Sequence, residues 1–353
     1  MEDEALNLNQ DYFNNRAARH HAAFAAAPFA RTFEILSFLY FLGSGNPSLR
    51  RKDAVLGDLL CGDGYFSGHL DGCFRHVYGV DLSSGLLGFF PKSETASCIV
   101  EPVTETTNIL EREVQPDFLV SMAGLHHIYS MVDGEVDASA SDQKQIEVLS
   151  NWMKAVPDGG KMIVGDIPDS DSTGEFVVCD KAEEFFDDDL TRRGQAIRES
   201  LAREINLPRV PVEVWPERFG DFVGQIQNLV ECVESCSPAS WFREVAAKQN
   251  PQGHIDHFPS VNRLKSGLEE NGLNVDYYDI PTPLMFGSKD SALRFMHEAF
   301  GLGNQIETAA DLSNDTRDKL EANIIEHLGI KELNSGQVFV GWRSAFYVVT
   351  HQQ

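Results

Sequence analysis

The sequence predicts an α/β protein built on a mostly parallel sheet with helices on both faces. Two observations carry this prediction. Short apolar runs alternate with helical patterns along residues 54–166, which is typical of parallel strands joined by crossover helices. The first run also breaks into Gly62-Asp63-Gly64 before a helical pattern resumes. Glycine lets a strand turn sharply into a helix and lets the backbone approach a ligand closely.

The composition limits the size of the core and the kinds of partner. The chain has 353 residues, 42% of them hydrophobic, and a net charge of −25. This is enough for a sizeable core in one large domain or two. An acidic surface repels phosphate groups, so neither nucleic acid nor anionic membrane is an expected partner. No apolar run approaches the roughly 20 residues of a membrane helix.

Cysteine usage indicates the compartment. The six cysteines show no C-x-x-C spacing, and the sequence has no signal-peptide pattern. We therefore expect reduced thiols in a cytoplasmic protein. Neither the histidine clusters nor the acidic run at 187–189 has the spacing of a metal site, so no metal is predicted.

Taken in order, the elements begin with a helical, alanine-rich pattern from Tyr12 to Leu42 that ends at Gly43. A capping-box pattern at Asp142-x-x-Gln145 predicts a helix start, and Ser237-Pro238 predicts another. Further helices are expected at 261–271, 289–300 and 311–328. Strands are predicted at 54–60, 76–80, 97–100, 118–122, 161–166, 273–280 and 338–349.

Strand patterns are missing between about 169 and 256, where helical spacing dominates. We expect residues 169–256 to form a helical insertion after strand 5, serving as a lid or a dimer surface. The predicted organisation is an N-terminal helical cap at 1–50, a core formed by 51–168 and 257–353, and this insertion.

The glycine-rich turn is compared with three kinds of ligand-binding loop. The dinucleotide fingerprint needs a third glycine where Ser67 stands, and a phosphate-binding P-loop needs G-K-[ST]. The third kind is the nucleoside-binding loop of class I methyltransferases that use S-adenosylmethionine. The segment Asp58-Leu59-Leu60-Cys61-Gly62-Asp63-Gly64 resembles that family's D-L-G-C-G-T-G, with Leu60 in place of the first glycine.

Other segments carry the same resemblance. Residues 79–87 are similar to the family's GxDxSxxML stretch, 117–128 to FDLVVS…LHHV, and 156–160 to L-x-P-G-G. The resemblance implies a Rossmann-like, doubly wound fold: a mostly parallel seven-stranded sheet with an antiparallel last strand, plus the helical insertion. It also implies S-adenosylmethionine as methyl donor and S-adenosylhomocysteine as product.

The resemblance further implies which residues hold the donor. Asp58 would position its amino-acid end, and Asp81, at the end of the second strand, would accept both ribose hydroxyls. A helix N-cap is the alternative role for Asp81. Glu101 and Val103 would flank the adenine. The full set of donor-binding candidates is Asp58, Cys61, Gly62, Gly64, Asp81, Leu82, Glu101, Val103 and Ser121.

Candidate catalytic residues are His126 and His127, which follow the fourth predicted strand near the switch point of a doubly wound sheet. A neutral imidazole can take a proton from the acceptor; alternatively, one of the two is structural. Packing is likewise the alternative to substrate contact at Tyr12, with its neighbours Phe13 and Arg16. The complete set of substrate candidates is Tyr12, Tyr129, His254, His257 and Phe286.

The leading hypothesis is a methyltransferase that moves a methyl group to O or N of a small molecule in specialised metabolism, by in-line SN2 transfer in a lidded pocket. One alternative is a C- or S-methyltransferase acting on a small metabolite. Another is a non-catalytic nucleoside-binding protein of the same fold, which Leu60 favours because it can crowd the donor. Ser67 disfavours a nicotinamide dehydrogenase. A homodimer is an open alternative to a monomer.

Overall fold

The computed structural model describes residues 2–43, 53–70, 72–111, 115–168, 236–250, 256–302, 313–332 and 336–352. The helices, strands and contacts described for this protein lie within these ranges. No helix within them combines the length and apolar character needed to cross a membrane.

Seven strands form one sheet in the order β3-β2-β1-β4-β7-β12-β8. The first five strands in this order are mutually parallel, whereas β12 runs antiparallel to both β7 and β8. The predicted mostly parallel sheet with a reversed last strand is therefore confirmed. The strands are β1 (Val55–Leu59), β2 (His76–Asp81), β3 (Ala96–Val100), β4 (Phe118–Met122), β7 (Lys161–Asp166), β8 (Leu273–Pro281) and β12 (Arg343–His351).

The central strands β1 and β7 are buried along their whole length, as expected where helices cover both faces of a parallel sheet. β1 pairs with β2 so that Leu59 lies opposite Val80, and β4 pairs with β7 so that Met122 lies opposite Gly165. The carboxyl ends of these four parallel strands therefore lie together. The loops that leave β1, β2, β4 and β7 consequently meet at one edge of the sheet, where ligands bind in open α/β sheets.

Helices pack around this sheet: α1 (Glu2–Ala26), α2 (Thr32–Gly43), α3 (Tyr65–Leu70), α4 (Ser84–Leu87), α5 (Thr106–Glu111), α6 (Ala138–Met153), α7 (Pro238–Trp241), α8 (Ala247–Gln249), α9 (Val261–Glu270), α10 (Lys289–Ala299) and α11 (Asn314–His327). A π-helical turn, Phe242–Ala246, joins α7 to α8. The predicted helix at Ser237-Pro238 is present, and Ser237 caps it.

The N-terminal helical pattern is two helices and not one. α1 ends at Ala26 and α2 begins at Thr32, with turns between them around Pro28. Proline has no N–H to donate and its ring clashes with the preceding turn, which explains the break.

The capping-box prediction at Asp142 is wrong. α6 begins at Ala138, where Asp137 accepts a hydrogen bond from the Ala140 N–H over 2.9 Å. Asp142 lies inside the helix, buried, and contacts His257 and Arg263.

The single strand predicted at 338–349 is split in two. Residues Val338–Val340 form β11, which pairs with β9 (Leu284–Phe286) and β10 (Ile330–Glu332) in a small separate sheet. The chain leaves that sheet at Gly341 and Trp342 and then enters the main sheet as β12.

A separate hairpin joins β5 (Met131–Val132) to β6 (Glu135–Val136).

Most of the predicted insertion, residues 169–235, lies outside the described residues, as do His254 and the acidic run at 187–189. The domain boundaries and the lid or dimer role of 169–256 therefore stay predictions.

Candidate functional site

The turn after β1 is shaped by two glycines. Gly62 and Gly64 have φ values of 57° and 77°, a left-handed conformation that costs glycine little. A side chain on Gly64 would also start 2.5 Å from the Phe90 ring. Leu60, in the family's glycine position, has a left-handed φ of 58° as well.

Asp81 holds this turn from the end of β2. Its Oδ2 accepts the Gly62 N–H over 2.8 Å, and its Oδ1 accepts the Ser83 N–H over 2.8 Å. Ser83, and not Asp81, is the N-cap of α4. Burial is the main cause that raises the pKa of Asp81. Ser83 therefore has the N-cap role that was the alternative for Asp81, and the Asp81 carboxylate lies beside the glycine turn.

Asp58 lies beneath the same turn and is 1% exposed. The Ser67 Oγ donates to its Oδ2 over 2.5 Å. Burial, reinforced by the charge of Asp81, raises the pKa of Asp58 to about 7, while the Ser67 hydrogen bond opposes the rise. Ser67 stands where a dinucleotide fingerprint has its third glycine, so the residue that breaks that motif has a structural partner here.

A cavity opens next to these carboxylates. Ten predicted site residues line it: Asp58, Cys61, Gly62, Asp81, Leu82, Val103, His126, His127, Tyr12 and Tyr129. Leu60 and Asp63 also contribute to the wall. Donor candidates and catalytic candidates therefore share one space.

His126 is the most strongly held of the catalytic candidates. It lies in a 3₁₀ turn, Leu125–His127, after β4, and it is 3% exposed. Its Nδ1 lies 2.8 Å from Oδ1 of Asp166, and its backbone N–H donates to Asp166 Oδ2 over 3.0 Å. Since a carboxylate only accepts hydrogen bonds, the proton of a neutral His126 ring sits on Nδ1.

Two opposing effects act on the pKa of His126. Burial, the largest cause, lowers it, but the charge and hydrogen bond of Asp166 together with the charge of Asp256 raise it, so the net pKa is above the ordinary value of 6.5. Proton transfer with a ligand then falls to Nε2, the nitrogen opposite the Asp166 contact. The arrangement is that of a base oriented by a carboxylate.

His127 contacts the N-terminal helix. Its ring lies 4.8 Å from the Phe13 ring in an edge-to-face arrangement, and its carbonyl accepts a hydrogen bond from Asn9 Nδ2 over 2.9 Å. His127 therefore helps to position α1 over the cavity, besides lining it.

One face of α1 covers the cavity. The lining residues of this helix follow helical spacing: Ala5, Leu6, Asn9, Tyr12, Phe13, Arg16, His20 and Phe24. Tyr12 Oη accepts hydrogen bonds from Asn250 Nδ2 over 2.7 Å and from Arg16. Arg16 also donates to the Glu298 carbonyl over 2.6 Å. α1 therefore forms one wall of the cavity, and the N-terminal cap at 1–50 stays a prediction.

Five predicted residues do not line the cavity. His257 contacts Asp142 over 2.7 Å and donates its N–H to the His126 carbonyl, so it supports the histidine turn from behind. Phe286 packs in β9 against Phe295. Glu101 and Ser121 lie outside the lining, with Ser121 only 1% exposed inside β4. Gly64 shapes the turn without lining the cavity.

Two groups of residues at the site were not identified from the sequence. Asp166 ends β7, which neighbours β4, so strand adjacency alone could have paired it with His126. The aromatic residues Phe24, Phe242, Phe295, Phe300 and Trp342 also line the cavity. They come from four separate segments, and no local sequence pattern brings those segments together.

Comparisons with known proteins concern the fold. No family model and no curated protein matches the chain. A solved S-adenosylmethionine-dependent methyltransferase from Anabaena variabilis is similar at 12% identity, with 98% of this chain and 95% of that chain covered and a TM-score of 0.46. A magnesium protoporphyrin IX methyltransferase from Synechocystis, with S-adenosylhomocysteine bound, is similar at 11% identity, with 78% and 92% covered and a TM-score of 0.42.

A Haemonchus contortus phosphoethanolamine N-methyltransferase, in complex with phosphomonomethylethanolamine and S-adenosylhomocysteine, is similar at 13% identity. There 91% of this chain and 52% of that chain are covered, and the TM-score is 0.41. In its Rossmann-like sheet with one reversed strand, the chain is similar to class I methyltransferases that use S-adenosylmethionine.

Proposed function

We propose that the chain is a methyltransferase that uses S-adenosylmethionine and transfers its methyl group to an oxygen or nitrogen atom of a small molecule. One observation carries the proposal. The buried carboxylates of Asp58 and Asp81 flank a left-handed glycine turn, and both line a cavity whose wall also includes His126, which is paired with Asp166 behind it.

The residues present fit the donor. S-adenosylmethionine carries two ribose hydroxyls, an ammonium group and a positively charged sulfonium. Asp81 supplies hydrogen-bond acceptors for the ribose, and Asp58 supplies negative charge for the amino-acid end. Leu82 and Val103 offer apolar contact to the adenine. The Asp58 carboxyl beneath the glycine turn disfavours a dinucleotide, because the pyrophosphate held at such a turn would meet like charge.

When bound, the sulfonium supplies a methyl carbon that is already activated toward a nucleophile. The protein's contribution is then to orient the acceptor and to exclude water. Aligned geometry of this kind can lower a barrier by about 7–11 kcal/mol. α1 covers the cavity through the Tyr12, Arg16 and Asn250 contacts, which supports a small acceptor in a closed site.

His126 gives the site a means to remove a proton. A hydroxyl acceptor is a weak nucleophile until its proton leaves, and Nε2 of His126 would take that proton while Asp166 stabilises the imidazolium that forms. This pair supports an acceptor that must lose a proton, such as a hydroxyl or a protonated amine.

Calorimetric titration with S-adenosylmethionine, S-adenosylhomocysteine and NAD, in parallel, tests the proposal. We expect micromolar binding of the two sulfur nucleosides and none of NAD. Binding of NAD alone would contradict the proposal. Binding of S-adenosylhomocysteine without turnover on any acceptor would favour the non-catalytic nucleoside-binding protein.

A further inference from the structure

One wall of the cavity is aromatic. Its members, called the aromatic wall below, are Phe24, Phe242, Phe295, Phe300 and Trp342. Four of the five are at most 6% exposed; Phe300 is half-buried. They come from α1, the π-helical turn, α10, the residue after α10 and the link between β11 and β12.

The rings of the aromatic wall contact each other. The Phe242 and Phe300 rings are 5.2 Å apart and nearly perpendicular, and the Phe300 and Trp342 rings are 5.6 Å apart. Phe24 and Phe295 form a second pair at 5.1 Å. Such contacts fix the rings relative to one another. The wall therefore presents fixed ring faces and edges to whatever occupies the cavity.

The aromatic wall reaches the candidate base. The Phe242 ring lies 5.8 Å from the His126 ring, and Phe242 also contacts the Trp342 ring at 6.2 Å. A flat molecule resting on this wall would therefore extend from the neighbourhood of Trp342 to the neighbourhood of His126.

Trp342 carries the second observation. It is 3% exposed and lines the cavity, and its indole Nε1 is buried with no hydrogen-bond partner among the described residues. A buried N–H that lacks an acceptor is costly, and most such groups in proteins are satisfied. A phenylalanine would fill a purely apolar wall without that cost. Because the Trp342 side chain lines the cavity, an acceptor atom on a bound ligand can satisfy this donor.

We propose that the methyl acceptor is a planar aromatic hydroxy compound with a second oxygen, which accepts the Trp342 Nε1–H. The transfer step rests on the proposed function, whereas binding of the ring does not. The acceptor O–H bond breaks, its proton goes to His126 Nε2, and the electron pair stays on oxygen. An oxygen–methyl bond forms as the methyl–sulfur bond of the donor breaks, with that pair left on sulfur. The products are an aryl methyl ether and S-adenosylhomocysteine.

A graded set of probes tests this inference in the full chain. The probes are naphthalene, naphthol, decahydronaphthol and the isomers of dihydroxynaphthalene, titrated calorimetrically with and without S-adenosylhomocysteine. Naphthol should bind at least about fivefold more tightly than decahydronaphthol, because only the planar ring can stack on the wall. At least one dihydroxynaphthalene isomer should gain about tenfold over naphthol, through the Trp342 hydrogen bond.

Two tryptophan variants separate the hydrogen bond from packing. Trp342→Phe keeps a ring and removes the N–H, so the gain of the dihydroxynaphthalene over naphthol should vanish. Trp241→Phe is the matched control: Trp241 is 0% exposed, its Nε1 also lacks a hydrogen-bond partner among the described residues, and it lies outside the cavity lining. That variant should keep the full gain.

Three results would overturn the inference: equal binding of naphthol and decahydronaphthol, no isomer that improves on naphthol, or a gain that persists in Trp342→Phe. If Trp342→Phe does not fold, wild-type protein with isotope-labelled tryptophan decides by magnetic resonance. One indole N–H signal must move with the dihydroxynaphthalene and not with naphthalene, and its failure to move also overturns the inference. Loss of nucleoside binding would instead count against the proposed function.

Discussion

The Cβ of Leu60 lies 2.5 Å from the point where a side chain on Gly124 would begin. Leu60 occupies the position at which the resembling family has glycine, and Gly124 lies in the turn after β4. The side chain gained at one position is therefore accommodated by the side chain missing at the other. The two residues form a coupled pair across neighbouring loops of the cavity.

Gly124→Ala should destabilise the protein by about 1–3 kcal/mol, as overpacking does. Gly124 has a φ of −126°, which alanine adopts readily, so the contact with Leu60 causes the loss. In a Leu60→Gly background the same change should cost less than half as much. Urea denaturation of all four proteins gives the coupling energy. Equal costs in both backgrounds would refute the pairing.

The raised pKa of Asp58 makes stability depend on pH. Its value of about 7 in the folded state exceeds the ordinary 3.8, so the folded state holds the proton more tightly than the unfolded state. The associated stability is complete below about pH 4 and is lost as pH rises to about 7; the loss is on the order of 4 kcal/mol. Asp58→Asn should abolish that decline in unfolding free energy.

The Ser67→Ala variant serves as the companion measurement for Asp58. Removing the Ser67 hydroxyl removes a hydrogen bond that lowers the pKa of Asp58. The decline in unfolding free energy should therefore extend to higher pH in Ser67→Ala. A wild-type curve parallel to that of Asp58→Asn between about pH 4 and 7 would show that Asp58 ionises normally.

Asp81→Ala should abolish donor binding in calorimetry. The change removes the acceptor proposed for the ribose and frees the Gly62 N–H from its 2.8 Å hydrogen bond. Asp117→Asn is a suitable control, because Asp117 caps the Val55 N–H and does not line the cavity. Wild-type affinity in a folded Asp81→Ala protein would remove Asp81 from the donor site.

Asp166→Asn should lower turnover by about 10²–10⁴-fold while donor affinity stays within about twofold, if His126 acts as the base. The reaction needs neutral His126, so the wild-type rate should rise with pH through a midpoint above 6.5. Asp166 raises the pKa of His126, so the midpoint should move to lower pH in the variant. His127→Asn, the control, should keep the wild-type midpoint; an unmoved midpoint in Asp166→Asn would exclude the pair.

Arg16→Met should loosen α1. The variant keeps an apolar stem and loses the hydrogen bonds to Tyr12 and to the Glu298 carbonyl. Amide hydrogen exchange in residues 9–20 should accelerate by at least about tenfold. Lys289→Met removes an exposed ion pair with Glu321 and should change little. Unchanged exchange in Arg16→Met would mean that apolar packing alone holds the helix.

The sequence allowed the main sheet to be placed closely. Local sequence patterns marked β1 to β4, β7 and β8 to within a residue or two. The patterns of β1, β4 and β7 are continuous apolar runs because these central strands are buried nearly throughout. The reversed β12 followed from family resemblance, since periodicity carries no direction. The break at Pro28 was missed because the helical pattern continues on both sides of it.

The site was predicted in part for the same reason. Donor candidates sit in loops that directly follow predicted strands, so order along the chain located them. The Asp166 partner of His126 is 40 residues away in sequence, and the aromatic residues of the cavity come from four distant segments. Contacts of this kind depend on tertiary packing, which no local pattern records.

The position of β12 has a consequence for how the chain is made in the cell. Residues 343–351 lie between β7 and β8, and they pair with all nine residues of β8. β8 is synthesised some sixty residues before β12, when the strand with which it pairs does not yet exist. Translation arrest before residue 343 would leave two exposed sheet edges that invite aggregation. β8 can therefore join this sheet only after β12 has been synthesised, and nascent chains that lack β12 are natural clients for chaperones.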